Sequence, residues 1–162
     1  MTDLDYSLRP LVAGDRSYVF STWIRWCSRE SRWLRGAPKP VLFDARDGYV
    51  RHIEAALDRC TVVVACDPSD HDVIYGYAVV DVPGVVQFAY VRAPFRRRGV
   101  ARAMLGAAGV SEPRVFACDM HRWAEQRFDH DPFAAPLIGS QFRAWAIAYR
   151  TAFGEFKLVG VR

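Results

Sequence analysis

Between Val85 and Val91 the chain runs through Val85, Val86, Phe88, Tyr90 and Val91, a β-branched and aromatic series that predicts a buried strand. From Arg92 to Arg98 the pattern switches to positive charge around Pro94, and Gly99 follows. Val100, Ala101, Ala103, Met104 and Leu105 are small or apolar with good helix propensity, so a helix is expected to open within or just after the arginine triplet. The order is strand, basic turn, glycine, helix.

The flanking segments predict an α/β chain. Tyr6 to Val12 alternates as a strand does, and Gly14-Asp15 makes a turn in which Asp15 can cap a helix from about Arg16 to Cys27. Tyr18, Val19, Trp23, Ile24 and Cys27 fall near one face of that helix. Arg29 to Val41, with Gly36, Pro38 and Pro40, predicts an irregular connection. Val50, Ile53, Ala56 and Leu57 recur at helical spacing over about Asp47 to Asp58. Thr61 to Ala65 and Val73 to Val82 predict a hairpin turned at Asp67-Pro68-Ser69-Asp70, and Pro83-Gly84 turns into the strand from Val85. Beyond the central helix, Arg114 to Cys118 predicts a strand parallel to Val85–Val91, because a helix makes the crossover. Gln141 to Phe153, with Phe142, Trp145, Ala146, Tyr149 and Phe153 along one side, predicts a last helix, and Glu155 to Val161 a last strand.

Composition narrows the class. The chain has 162 residues, 51% hydrophobic and 14% aromatic, enough for one domain with a proper core over residues 1–162 and too few for two ordinary ones. The net charge of +4 is unevenly placed, since Arg92, Arg96, Arg97, Arg98 and Arg102 crowd one segment. That favours a local anionic ligand over a surface coated with nucleic acid. Cys27, Cys60, Cys66 and Cys118 show no zinc or redox spacing, so reduced thiols and a cytoplasmic location are expected. No apolar run approaches the roughly 20 residues of a membrane span, and the first residues lack a signal-peptide pattern.

The first amides of a helix have no intrahelical partner and sit at the positive end of its dipole, so the turn before Val100 can hold a phosphate. Arg96-Arg97-Arg98-Gly99-Val100-Ala101 resembles the Arg/Gln-x-x-Gly-x-Gly/Ala signature of the GCN5-related N-acetyltransferases. Tyr90-Val91 before it and Met104-Leu105 after it are similar to that family's fourth strand and third helix, and Leu8-Arg9-Pro10 with Asp15 is similar to its opening. The resemblance implies a mixed, mostly antiparallel sheet splayed between the fourth and fifth strands and flanked by helices. It implies that acetyl-coenzyme A, as co-substrate, is held through its pyrophosphate by Arg96, Arg97, Arg98, Gly99, Val100 and Ala101. An amide near Tyr90 or Val91 would bond the thioester carbonyl, a bond that strengthens as the carbonyl becomes an oxyanion.

Acetyl transfer to an amine also needs an acid for the departing thiolate and a route for the amine's proton. Tyr149 falls where the family often places its general acid, although Phe153-Gly154 inverts the usual order of the pair that follows. An unperturbed tyrosine, with a pKa near ~10, is protonated at neutral pH. Where many relatives carry a glutamate on the fourth strand this chain offers only Gln87, which leaves Asp81, Asp119, His121 and His130 as candidate bases, with His121 preferred. Relatives that pass the proton to solvent need none of them. Trp23, Trp26 and Trp33 are candidates to line the acceptor pocket, or else aromatics that close the core.

The chain departs from the family at Asp119 to Ser140, an insert before the last helix. It is read as a segment that binds the acceptor, with a plain surface loop as the bland alternative. Its Asp119, His121, Asp129, His130 and Asp131, with Cys118, fix no metal geometry, and no metal is expected. Three functions remain open. Acetyl-coenzyme A-dependent acetylation of an amine on a small molecule or protein leads, by a monomer or homodimer without a membrane partner. Modification of a DNA nucleobase, as in phage enzymes that resemble the family, and a non-catalytic module that binds an acyl-coenzyme A are the alternatives.

Overall fold

The computed structural model describes residues 4–29, 39–81 and 85–110, together with the backbone of 115–116 and 129–130. Six strands form one sheet in the order of the chain: β1 (Ser7–Pro10), β2 (Thr61–Cys66), β3 (Ile74–Asp81), β4 (Val85–Val91), β5 (Val115–Phe116) and β6 (Asp129–His130). The first four are antiparallel to their neighbours, whereas β5 runs parallel to β4 and β6 parallel to β5. The helices are α1 (Arg16–Arg29), α2 (Lys39–Arg59) and α3 (Val100–Ala107). The mixed α/β architecture expected from the periodicity is the one observed.

Strand alternation sends Val62 and Val64 of β2, with Tyr77 and Val79 of β3, to one face, where Val19, Trp23 and Cys27 of α1 and Ile53, Ala56 and Leu57 of α2 cover them. Val63, Ala65 and Ala78 go to the other face and pack on Val100 and Met104 of α3, joined by Tyr75, which the register shift opposite Ala65 and Cys66 turns to that side. Both faces are dry. That is why β2 and β3 read as continuous apolar runs rather than as alternating ones.

The structure corrects three expectations. The helix expected from about Asp47 begins at Lys39, within the supposed irregular connection. Pro40 is tolerated because the amide it lacks would have had no partner in a first turn. Asp15 does not cap α1: its carboxylate accepts the Val12 N–H at 3.0 Å and pairs with the Arg9 guanidinium, bracing the turn that leaves β1. Within the Asp119–Ser140 insert, Asp129 and His130 are paired into the sheet beside Val115 and Phe116. The helix expected over Gln141–Phe153, the last strand, Trp33 and Cys118 lie outside the described residues. Among those residues no helix is long and apolar enough to cross a membrane.

Candidate functional site

β4 has two different edges. Along β3 it is paired throughout, with one irregularity: Val79 stands opposite Phe88 and Val80 opposite Val86, so Gln87 is an extra residue in a bulge. Along β5 only Val85 and Val86 are paired, with Val115 and Phe116. From Gln87 onward β4 has no strand on that side among the described residues. The Arg92 N–H bonds the Tyr75 carbonyl at 2.9 Å, which places the polar groups of residue 92, and by alternation those of Tyr90, toward β3. Val91 and Ala89 therefore direct their amides to the open edge. The Val91 carbonyl confirms that direction, since it accepts a hydrogen bond from Arg96 Nε at 2.8 Å across the following turn.

That turn is rigidly anchored and then opens to solvent. Residues Ala93–Phe95 form one 3₁₀ turn, closed by the Phe95 N–H on the Arg92 carbonyl at 2.9 Å. The Phe95 ring stacks on Tyr75 with centroids 3.9 Å apart, and the Arg92 guanidinium lies over the Phe95 ring and donates to the Ile74 carbonyl. Arg97 and Gly99 then take left-handed conformations, with φ of 62° and 79°. A left-handed glycine lets the chain reverse into α3 without Cβ strain, and nothing lies within 4 Å of where a Cβ on Gly99 would stand. The first helical bond runs from the Ala103 N–H to the Gly99 carbonyl at 3.0 Å, and Gly99 supplies no side-chain cap. The amides of Val100, Ala101 and Arg102 thus have no carbonyl partner among the described residues. Arg96, Arg97, Arg98 and Arg102 are exposed around them. Free amides at a positive dipole end, an open approach and three or four guanidinium groups make a donor set suited to a diphosphate.

On the α1/α2 side, β4 presents aromatic rings. Phe88 stacks on Trp23 at 4.9 Å and meets Trp26 edge-on at 5.4 Å, while Tyr77 lies 5.7 Å from Tyr90 and 6.4 Å from Tyr18. Tyr77 is fully buried, its hydroxyl 2.9 Å from Thr22 Oγ1 and 3.2 Å from the Val19 carbonyl, and burial raises its pKa strongly. Burial also raises that of Tyr18, which Tyr90 reinforces and Arg92 opposes. Where the bulge lies, Gln87 faces His52 of α2. Both are buried, and burial, helped by the charge of Arg59, lowers the His52 pKa.

No protein-family model matches the chain, and no curated protein matches it. Solved structures do. A GCN5-related N-acetyltransferase from Rhodopseudomonas palustris superposes with a TM-score of 0.46 and 19% identity over 67% of this chain and 66% of its own. A histone acetyltransferase HPA2 and related acetyltransferase from Corynebacterium glutamicum gives 0.45 and 15%, over 64% and 70%. AAC(6')-Iy in complex with the bisubstrate analogue CoA-S-monomethyl-acetylneamine gives 0.38 and 16%, over 93% and 90%. The chain is similar to GCN5-related N-acetyltransferases. It spans just under two thirds of the first of these structures.

Of the residues that the acetyltransferase signature singled out, Arg96 to Ala101 stand together at the start of α3, with Val91 on the open edge beside them. Tyr90 is set apart from that group, because its carbonyl faces Gly76 of β3. Its ring instead joins the aromatic array. Trp23, 2% exposed, belongs to the core, whereas Trp26 is half-buried. Asp81 is engaged by Arg59 at 3.3 Å. Tyr149, His121 and Asp119 lie outside the described residues, and of His130 only the backbone is described. Among the described residues no cluster of histidine, cysteine or acidic side chains could hold a metal. Sequence reasoning passed over His52 and the Gln87 bulge. The signal for His52 was its spacing, one residue before Ile53 and four before Ala56 on the buried face of α2.

Proposed function

We propose that this protein is an N-acetyltransferase that moves an acetyl group from acetyl-coenzyme A to an amine on a small molecule or protein, within a ternary complex. One observation carries the proposal: the amides of residues 100–102, without a carbonyl partner among the described residues, and the exposed arginines lie beside the edge of β4 that has no strand beside it among those residues beyond Val86. The diphosphate would lie on the start of α3, held by the amides of Val100 and Ala101 and the guanidinium groups of Arg97 and Arg98. From there the pantetheine arm would follow the open edge, and its thioester carbonyl would accept from the Ala89 or Val91 amide. Arg96 would act indirectly, since its guanidinium already holds the Val91 carbonyl and with it the direction of that amide. The amine attacks the carbonyl carbon, the N–C bond forms and the C–S bond breaks, the nitrogen gives its surplus proton to solvent, and the thiolate takes a proton from Tyr149 or from solvent.

Calorimetry with coenzyme A tests the proposal on the intact protein. Wild type is expected to bind, and Arg97→Glu with Arg98→Glu to weaken binding by at least about tenfold, two charge-assisted contacts being worth more than ~1.4 kcal/mol together. No affinity in the wild type, or unchanged affinity in the double variant, overturns it.

A further inference from the structure

β3 carries one extra residue where it passes β2. Ala65 stands opposite Gly76 and Cys66 opposite Ile74, so Tyr75 is left over in a bulge. Its side chain goes to the α3 side with Ala78, while Ile74 and Tyr77 stay on the α1/α2 side. There the bulge grips the turn that leaves β4. The Tyr75 carbonyl accepts the Arg92 N–H at 2.9 Å, the Ile74 carbonyl accepts from the Arg92 guanidinium at 3.2 Å, and the Tyr75 ring stacks on Phe95 at 3.9 Å. Two consecutive residues of β3 thus hold both ends of the turn that delivers the chain to Arg96.

The Tyr75 ring is itself held. Its hydroxyl donates to Asp67 Oδ2 at 2.6 Å, while Asp67 Oδ1 accepts the Ser69 N–H at 2.8 Å and the Asp70 N–H at 3.3 Å within the β2–β3 turn. The bond to the carboxylate pushes the Tyr75 pKa up to about 12 and lowers that of Asp67, so donor and acceptor keep their roles through the neutral range. A line of contacts therefore runs from Asp67 through the two stacked rings to the residue before Arg96.

We infer that Tyr75 is a positioning residue of the diphosphate site, acting through Phe95 on the turn that precedes α3. The inference rests on the acetyltransferase reading for the identity of the ligand. An anion site built from amides and guanidinium groups binds only as well as its donors are already converged, because any ordering left to do weakens the complex. Arg97 and Gly99 are left-handed, so neither strand nor helix geometry fixes the stretch between Phe95 and Val100. Its two anchors fix it instead: α3 on one side, and on the other the Phe95 ring against Tyr75.

Titrations of the intact protein test the inference. Inorganic pyrophosphate probes the turn alone, followed by the nitrogen-15 amide signals of residues 97–102, and coenzyme A is followed by calorimetry. Tyr75→Leu is expected to weaken both about tenfold, and Tyr75→Phe, which keeps the stacked ring, by no more than about threefold. Asp67→Ala is expected to match Tyr75→Phe. Since each removes the same hydrogen bond, the double variant is expected to lose nothing further. Wild-type affinity in a Tyr75→Leu protein that circular dichroism shows to be folded assigns Tyr75 a packing role only and overturns the inference. Should Tyr75→Leu not fold, the cycle of Tyr75→Phe and Asp67→Ala decides, and effects that are absent or that simply add overturn it. A wild type that binds pyrophosphate in a Tyr75-dependent way but not coenzyme A sinks the acetyltransferase reading and leaves the positioning role standing. A wild type that binds neither overturns both.

Discussion

Arg9 and Asp15 show how much one pair can decide. The Asp15 carboxyl, 5% exposed, is held below the usual carboxylate range chiefly by the Arg9 guanidinium and also by the Val12 N–H. Arg9 also donates to the His71 carbonyl at 2.9 Å, so the pair ties β1, the turn into α1 and the β2–β3 turn together. A folded-state pKa below the unfolded value means that the unfolded chain binds the proton more readily. The stabilisation is therefore complete above the unfolded pKa of about 4 and disappears as pH falls through the folded value. Urea midpoints between pH 6 and pH 3 are expected to fall more steeply for wild type than for Asp15→Asn, which loses about 2 kcal/mol at pH 6 and little more below it. Parallel pH curves for the two proteins would exclude the pair as the cause. Gly76 is the other decisive residue. A Cβ there would meet the Tyr90 carbonyl and stand 3.1 Å from Val91 Cα, both backbone atoms that cannot step aside. Gly76→Ala is expected to cost about 1–3 kcal/mol in thermal or urea unfolding, as overpacking does, and to displace β4 at its open edge.

At the scale of elements, β2, β3 and β4 were legible because branched and aromatic side chains dominate them, and α3 because small residues follow Gly99. The start of α2 was not, because Pro38 and Pro40 punctuate a sequence equally well as loop breakers or as residues of a first turn. A bulge of one residue leaves no mark on a strand pattern, so Gln87 read as an ordinary strand position although it faces α2 beside Phe88. Nor does a lone histidine in an amphipathic helix declare its partner; only the tertiary packing brings His52 to Gln87. The signature residues were legible as a group, yet the division of labour among them was not: Arg96 spends its Nε on Val91, which no spacing reveals. The docking of α1 on the sheet runs through Trp23, stacked on Phe88 and set edge-on against His52. Trp23→Ala is expected to cost about 3–5 kcal/mol in urea unfolding, the range for an aromatic lost from a core. A loss below about 1 kcal/mol would show that α1 is held by its other contacts, such as Arg16 on Asp58 at 2.8 Å.

For the whole molecule the proposed ligand site at the edge of β4 makes binding and stability one measurement. A ligand that binds only the folded chain adds RT ln(1 + [L]/Kd), about 2.7 kcal/mol at a hundredfold excess over Kd, and a chain of this size would gain roughly 5–10 °C in Tm. Adenosine 3′-phosphate 5′-diphosphate keeps the diphosphate and lacks the pantetheine arm, so its effect isolates the anion-binding turn from the open edge. Coenzyme A is expected to raise Tm by more than this nucleotide does, since the arm adds contacts along Ala89 and Val91. Hydrogen exchange locates the difference: both ligands are expected to slow the amides of residues 100–102, and only coenzyme A those of Ala89 and Val91. The expected reach of the effect follows from the strand geometry, in which Tyr90 and Arg92 direct their polar groups toward β3 and should change little. Protection confined to the turn with both ligands would leave an anion site and no channel. Protection that extends along the alternate amides of β4 would make the unpaired edge, rather than the arginine cluster alone, the feature around which the ligand is organised.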